Sequence, residues 1–193
     1  IYIDDGSDDV NIEGAVGSIE IQASDITVTT KGAKIGAINV SGKNASLVID
    51  ENTVVETIDV AGQAANTTMN VSGKVNKVTT QAPKTEIAGN GEVGEVQVQS
   101  GANDSRIETP NTKISVSEGV TGVKGGGGTE LKPGETVTNN NQGTGVQTPP
   151  VYGGGGGGSG PSRVAVRAVR LDKEKLILEV GATDKLTATV EPA

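Results

Sequence analysis

The 193-residue chain contains no cysteine, no histidine, no phenylalanine and no tryptophan, and its aromatic content is two tyrosines. Without Cys or His there is no thiol nucleophile, no His-dependent triad, no haem ligand and no ordinary zinc site. Carboxylate and hydroxyl chemistry stays open. The near absence of rings removes the stacking platforms on which sugars and nucleobases are held. Positive charge is scarce as well: 16 Lys and Arg stand against 24 Asp and Glu, a net charge of −8 that opposes binding to phosphate backbones. The whole excess lies in residues 1–62, which hold 11 acidic and 3 basic residues, whereas the remainder is balanced at 13 of each. No apolar run reaches the 18 or so residues of a membrane-spanning helix. No basic-then-apolar leader is present, and Ile1-Tyr2-Ile3 already reads as strand, so the chain is expected to be an internal piece of a longer protein.

What the sequence does have is glycine, 29 residues of it, and β-branched side chains arranged in a repeat. An apolar residue followed by others three and five positions later gives Val16-x-x-Ile19-x-Ile21, Ile35-x-x-Ile38-x-Val40, Val55-x-x-Ile58-x-Val60, Val75-x-x-Val78-x-Thr80 and Val93-x-x-Val96-x-Val98, with Ile114 as the next start. Each unit adds a second alternating pair: Ile26/Val28, Leu47/Ile49, Met69/Val71, Ile87/Gly89 and Ile107/Thr109. Ile1/Ile3 and Val10/Ile12 resemble one more turn of the pattern. Period-2 alternation puts Ile38 and Val40 on one face, while the three-residue step from Ile35 breaks parity and demands a corner, where Gly17, Gly36 and Gly94 stand. A unit of about 20 residues cannot bury its apolar face alone, so units must stack. The predicted fold is all-β: a parallel β-solenoid over residues 1–124, its side chains Ile38, Val40, Leu47, Ile49, Ile58, Val60, Met69 and Val71 inward and Asn39, Val48, Asp59 and Asn70 outward. Six rungs at ~4.8 Å make a rod on the order of 30 Å long. An antiparallel sandwich also repeats strands every 8 to 12 or so residues, but need not keep the spacing near 20 over five units.

From Gly122 the pattern fails. Gly125–Gly128, Asn139–Asn141, Pro149-Pro150 and Gly153–Gly158 mark residues 125–162 as a Gly/Pro-rich linker, with Leu131 and Val137 placed to form a short final turn or cap and a hinge expected over 139–160. Strand patterning returns in Val164–Val166, Val169–Leu171, Leu176–Val180 and Leu186–Val190. The succession Leu178-Glu179-Val180-Gly181, then Leu186-Thr187-Ala188-Thr189-Val190-Glu191-Pro192-Ala193, resembles the opening of a bacterial group 2 immunoglobulin-like domain, which implies that 163–193 are the first strands of an Ig-like sandwich. The 20-residue units with Ile87-Ala88-Gly89-Asn90-Gly91-Glu92-Val93-Gly94-Glu95-Val96, followed by polyglycine, are similar to the solenoid region of surface-layer-homology proteins of Gram-positive bacteria. The wall-gripping modules of those proteins are not in this sequence.

Three features invite a chemical reading. Asp4, Asp5, Asp8 and Asp9 pack four carboxylates around Gly6-Ser7, a density of hard oxygen ligands suited to Ca²⁺, although the EF-hand spacing and its closing bidentate Glu are missing and a solvated acidic turn is the blander alternative. Glu20, Asp59 and Glu95 fall at outward positions of the first strand, with Asn39 and Thr79 between them, as an acidic ladder whose steps of about 10 Å approach the carboxylate separation of inverting glycosidases. A sugar cleft without aromatics is a poor cleft. Asn-x-Ser/Thr sequons at Asn44, Asn66, Asn70 and Asn103 lie in or beside turns rich in the residues that generate them by chance. The resemblances imply an extracellular, modular bacterial surface protein, structural or adhesive and not an enzyme. The expected partners are neighbouring copies, other surface proteins or a cell-wall polymer, with no nucleic acid and no membrane span. The strand edges at residues 1–12 and 164–193 are the ones expected to self-associate.

Overall fold

The computed structural model describes residues 1–4, 9–139, 166–171 and 188–192. The chain divides into two units, Ile1–Gln147 and Thr148–Ala193. The first is a parallel β-solenoid of about six turns over residues 2–116, with rungs about 19 residues apart. Its strands are β1 (Tyr2–Ile3), β2 (Val10–Ile21), β3 (Thr27–Val40), β4 (Ser46–Ile49), β5 (Val54–Val60), β6 (Thr68–Val71), β7 (Lys74–Thr80), β8 (Glu86–Ala88), β9 (Glu92–Val98), β10 (Arg106–Ile107), β11 (Lys113–Val116) and β12 (Thr136–Thr138). Every pairing among them is parallel except β11 with β12. Two strips of equivalent strands run the length of the coil: β1–β2–β3–β5–β7–β9–β11 on one face and β2–β3–β4–β6–β8–β10 on another. The bent β3 belongs to both, pairing with β4 through Thr27–Thr30 and with β5 through Lys34–Val40.

Parallel pairing places each inward residue on its equivalent one rung away, so the interior is a set of aliphatic columns. Ile19, Ile38, Ile58, Val78, Val96 and Ile114 form one, all completely buried. Ile3, Ile21, Val40, Val60, Thr80, Val98 and Val116 form a second, and Val28, Leu47, Met69, Ile87 and Ile107 a third. All eight predicted inward residues are buried, and the four predicted outward ones are not. Thr80 is tolerated among apolar neighbours because its hydroxyl meets that of Thr85 at 2.7 Å and accepts the Ala82 N–H at 3.2 Å. The Gly corners follow from close backbone approach: a Cβ on Gly36 would lie 2.5 Å from the Gly17 carbonyl oxygen, and one on Gly94 2.6 Å from that of Asn76.

Two alignments differ from the sequence reading. In β3 the residues opposite Leu47 and Ile49 are Val28 and Thr30, not Ile26 and Val28. Ile26 instead occupies a corner, its carbonyl accepting from the Ser46 N–H. Ile114 is the equivalent of Val96, not a new Val93-type start; the rung is 18 residues long there, and Asn111, at φ +56°, holds the corner.

The end of the solenoid is closed by its own last residues together with residues that the composition assigns to the linker. Val120, Val123 and Leu131 are buried, Gly126–Gly128 make a 3-10 turn, and β12 lies antiparallel on β11 with Ile114 opposite Val137. Residues 125–139 are therefore a cap, in which the two apolar residues singled out for it pack against the core and backbone hydrogen bonds tie it to the last rung. The hinge expected over 139–160 lies, beyond Asn139, outside the described residues. In the second unit, β13 (Val166–Leu171) pairs antiparallel with β14 (Ala188–Pro192); the predicted strand at Leu176–Val180 lies outside the described residues.

Replacing Ile58 by Asp puts an unpartnered carboxylate into the fully buried column. We expect a loss of several kcal/mol, read as a fall in Tm of roughly 10 °C or more; a Tm within a degree or two of the parent would show that Ile58 does not face the interior.

Candidate functional site

Of the acidic loop, Asp4 and Asp9 are exposed, and Asp5 and Asp8 lie outside the described residues. Among the described residues no group of three or more Asp and Glu side chains is positioned to hold a metal ion.

The outward ladder is reorganised by the register. Glu20, Asn39, Asp59 and Thr79 are stacked as expected, but the column continues through Gln97 and Ser115. Glu95 belongs to the neighbouring column, between Lys77 and Lys113. The error has a simple origin: Glu95 precedes the inward Val96, whereas Glu20, Asn39 and Asp59 follow the inward Ile19, Ile38 and Ile58. Its carboxylate bonds the Lys113 ammonium at 3.0 Å, and this bond, reinforced by the charges of Lys113 and Lys77, holds its pKa below the ordinary value. On the acidic column the Asn39 amide donates to Glu20 Oε1 at 2.6 Å, which commits that carboxylate to cross-rung bonding. Around it lies an open depression of about 350 Å³ lined by Glu20, Asn39, Ser41, Asp59, Thr79 and Gln81. Its chemistry is that of a solvated polar surface that can accept and donate hydrogen bonds.

A second organised constellation runs along one corner, and sequence reasoning missed it. Asp25, Asn44, Asn66, Lys84 and Asp104 occupy equivalent places and all have positive φ, between +54° and +60°. Short polar side chains tolerate this region because they bond locally, so Asp and Asn are the natural non-glycine occupants. Their side chains also bond between rungs: the Asn44 amide donates to Asp25 Oδ1 at 2.7 Å, and the Asn66 amide donates to Asn44 Oδ1 at 2.9 Å. The residue after each is buried: Ile26 first, then the small or hydroxylic Ala45, Thr67, Thr85 and Ser105. Thr67, Thr85 and Ser105 donate to the carbonyls of Ala64, Ala82 and Ala102 at 2.7, 3.0 and 2.8 Å. The sequons at Asn44, Asn66 and Asn103 overlap this corner, so the repeated corner composition, not chance alone, produces them. Asn70 is different: it sits exposed in the middle of β6. The repeated A-x-x-T/S spacing at 64–67, 82–85 and 102–105 was the signal available in the sequence.

A third corner is clamped by Asp50, which accepts from the Thr53 hydroxyl at 2.5 Å and from the Gly32 N–H at 3.0 Å. The Thr53 bond first, and the Gly32 bond next, lower the Asp50 pKa. Thr53 in turn accepts from the buried Ala33 N–H at 3.1 Å.

Two measurements check these assignments. Lys84 bears the strain of positive φ without joining the amide ladder, so Lys84→Asn should stabilise the rod by about 0.5–1 kcal/mol, seen as a higher denaturant midpoint; a lower midpoint would contradict the ladder. Asp50 and Glu95 have folded pKa values below their unfolded ones, so their contribution is present above the ordinary carboxyl range and disappears as pH falls through the folded values. The denaturant midpoint of the parent should therefore drop more between pH 6 and pH 3 than that of the Asp50→Asn/Glu95→Gln variant, and parallel drops would refute the clamps.

No protein-family model, curated protein or solved structure matches this chain.

Proposed function

We propose that the chain is a structural element of an extracellular bacterial surface protein, of the surface-layer type: a stiff β-solenoid spacer, followed by a Gly/Pro-rich linker and the opening strands of a group 2 immunoglobulin-like domain. The observation that carries the reading is the unbroken parallel register from β1 to β11 around columns that are aliphatic except for a few threonines such as Thr80. Backbone hydrogen bonds between rungs run along the rod axis, so bending or stretching it strains many of them together. The likeness of the repeat style and of the Leu178–Gly181 and Leu186–Ala193 motifs to bacterial surface modules supplies the location. In this reading the rod holds the immunoglobulin-like module away from the surface and meets neighbouring copies, and its outward residues keep it soluble.

A second reading, adhesion to a wall polymer or another surface protein, draws on the open depression around Glu20 and Asp59. A polar face without aromatic rings binds weakly unless many copies act together, so it ranks behind the spacer.

Immunogold electron microscopy with an antibody against the rungs tests the proposal on intact source cells. Label in a layer outside the membrane is the expected result; label confined to the cytoplasm would overturn it. Saturable retention of the purified chain on isolated cell walls would favour adhesion over the spacer.

A further inference from the structure

One residue ties the parts of the cap together. Asn139 is 7% exposed. Its side-chain amide donates to the carbonyls of Ile107 and Thr109, both at 3.0 Å, and its Oδ1 accepts from the Gly126 N–H at 2.6 Å. Its backbone completes the seal, donating to Thr112 O at 2.8 Å and accepting from Asn111 N at 2.7 Å. One side chain thus joins the last rung, the glycine turn and β12. Beneath it lies the edge of β11, whose outer backbone groups bond only to the cap: Val116 N donates to Glu135 O at 2.8 Å, and Lys113, Ile114 and Ser115 register with Thr138, Val137 and Thr136.

The geometry points to Asn139 as a latch over a concealed assembly surface, the edge of β11, whose alternative occupant is the β11 edge of a second copy of this chain. The cap itself shows that this edge accepts an antiparallel strand. The edge is also self-complementary about a two-fold axis through Ser115: Ile114 of one copy then faces Val116 of the other, both already inward, and Lys113 faces Ser117, so no like charges meet. Each copy would contribute its one unlatched end, and the pair would close as a dimer.

The inference does not depend on the proposed function and is tested on the full chain. Asn139→Ala should show at least about tenfold faster hydrogen exchange at the Ile114 and Val116 amides, which face the cap, and, in sedimentation, a concentration-dependent doubling of mass relative to the parent. Val137→Lys, which leaves Asn139 intact but unseats β12, should do the same. Adding Ser115→Lys to either variant places two ammonium groups opposite each other at the two-fold axis and should restore the parent's mass while exchange stays fast. Val75→Ala, a core truncation remote from the cap, is the control. The latch is refuted if the two cap variants keep the parent's mass, if Val75→Ala associates equally, or if Ser115→Lys changes nothing. Open-ended filaments in place of a dimer would refute the isologous pairing.

Discussion

Everything in the solenoid depends on the inter-rung hydrogen-bond register. Parallel strands ~4.8 Å apart place each side chain directly on its equivalent, so a residue is acceptable only if it can stack on the one before and the one after. Inside, this selects β-branched aliphatics, whose stiff χ1 and compact bodies repeat at that spacing, and it explains how a core can be built without a single ring. Outside, it turns chemistry into columns: Glu95 between Lys77 and Lys113 is stabilising, whereas a carboxylate at all three places would be repulsive. The same register makes the corners identical, which is why five residues share one left-handed conformation.

The inward columns were legible because the pattern x-x-Ile-x-Val marks depth as well as strand, and Ile38, Val40, Ile58 and Val60 fall where it puts them. What was not legible is how rungs of unequal length are brought into line. The left-handed corner residues Asp25, Asn44, Asn66, Lys84 and Asp104 are 19, 22, 18 and 20 residues apart, and the surplus is absorbed in the turns. A count along the sequence then slips wherever a turn lengthens or shortens. That slip displaced Ile26, Ile114 and Glu95. Hydrogen-bond register, not periodicity, decides such cases, since a shift of one residue exchanges inside for outside.

The polar corners carry a different lesson. A run such as Ala64-Ala65-Asn66-Thr67 reads as an ordinary turn, yet each position answers a separate demand: a small residue where the chain passes inward, an αL-tolerant residue at the bend, and a hydroxyl to satisfy a buried carbonyl. Lys84 breaks the amide ladder and keeps the fold, so the backbone register sets the corner and the side chains tune it. Function is harder to read for the same reason. A solenoid's outward positions are constrained only to be compatible with their neighbours, leaving the sequence there free to serve solubility or recognition alike.

The cap shows where compositional reasoning fails. Residues 125–139 contain mostly Gly, Lys, Glu and Thr with two useful apolar side chains, too few to offset the cost of ordering them by burial alone. The deficit is met by the backbone edge already present on β11, which supplies a row of unsatisfied donors and acceptors whose exposure is itself unfavourable for a soluble protein. Ordering β12 on that edge replaces water by matched partners, and Asn139 contributes three further side-chain bonds in a buried position, where each is stronger than in solvent. An apparently featureless segment therefore becomes ordered because of where it lands. Its stability belongs to the last rung, and the loss of either one should be felt in the other.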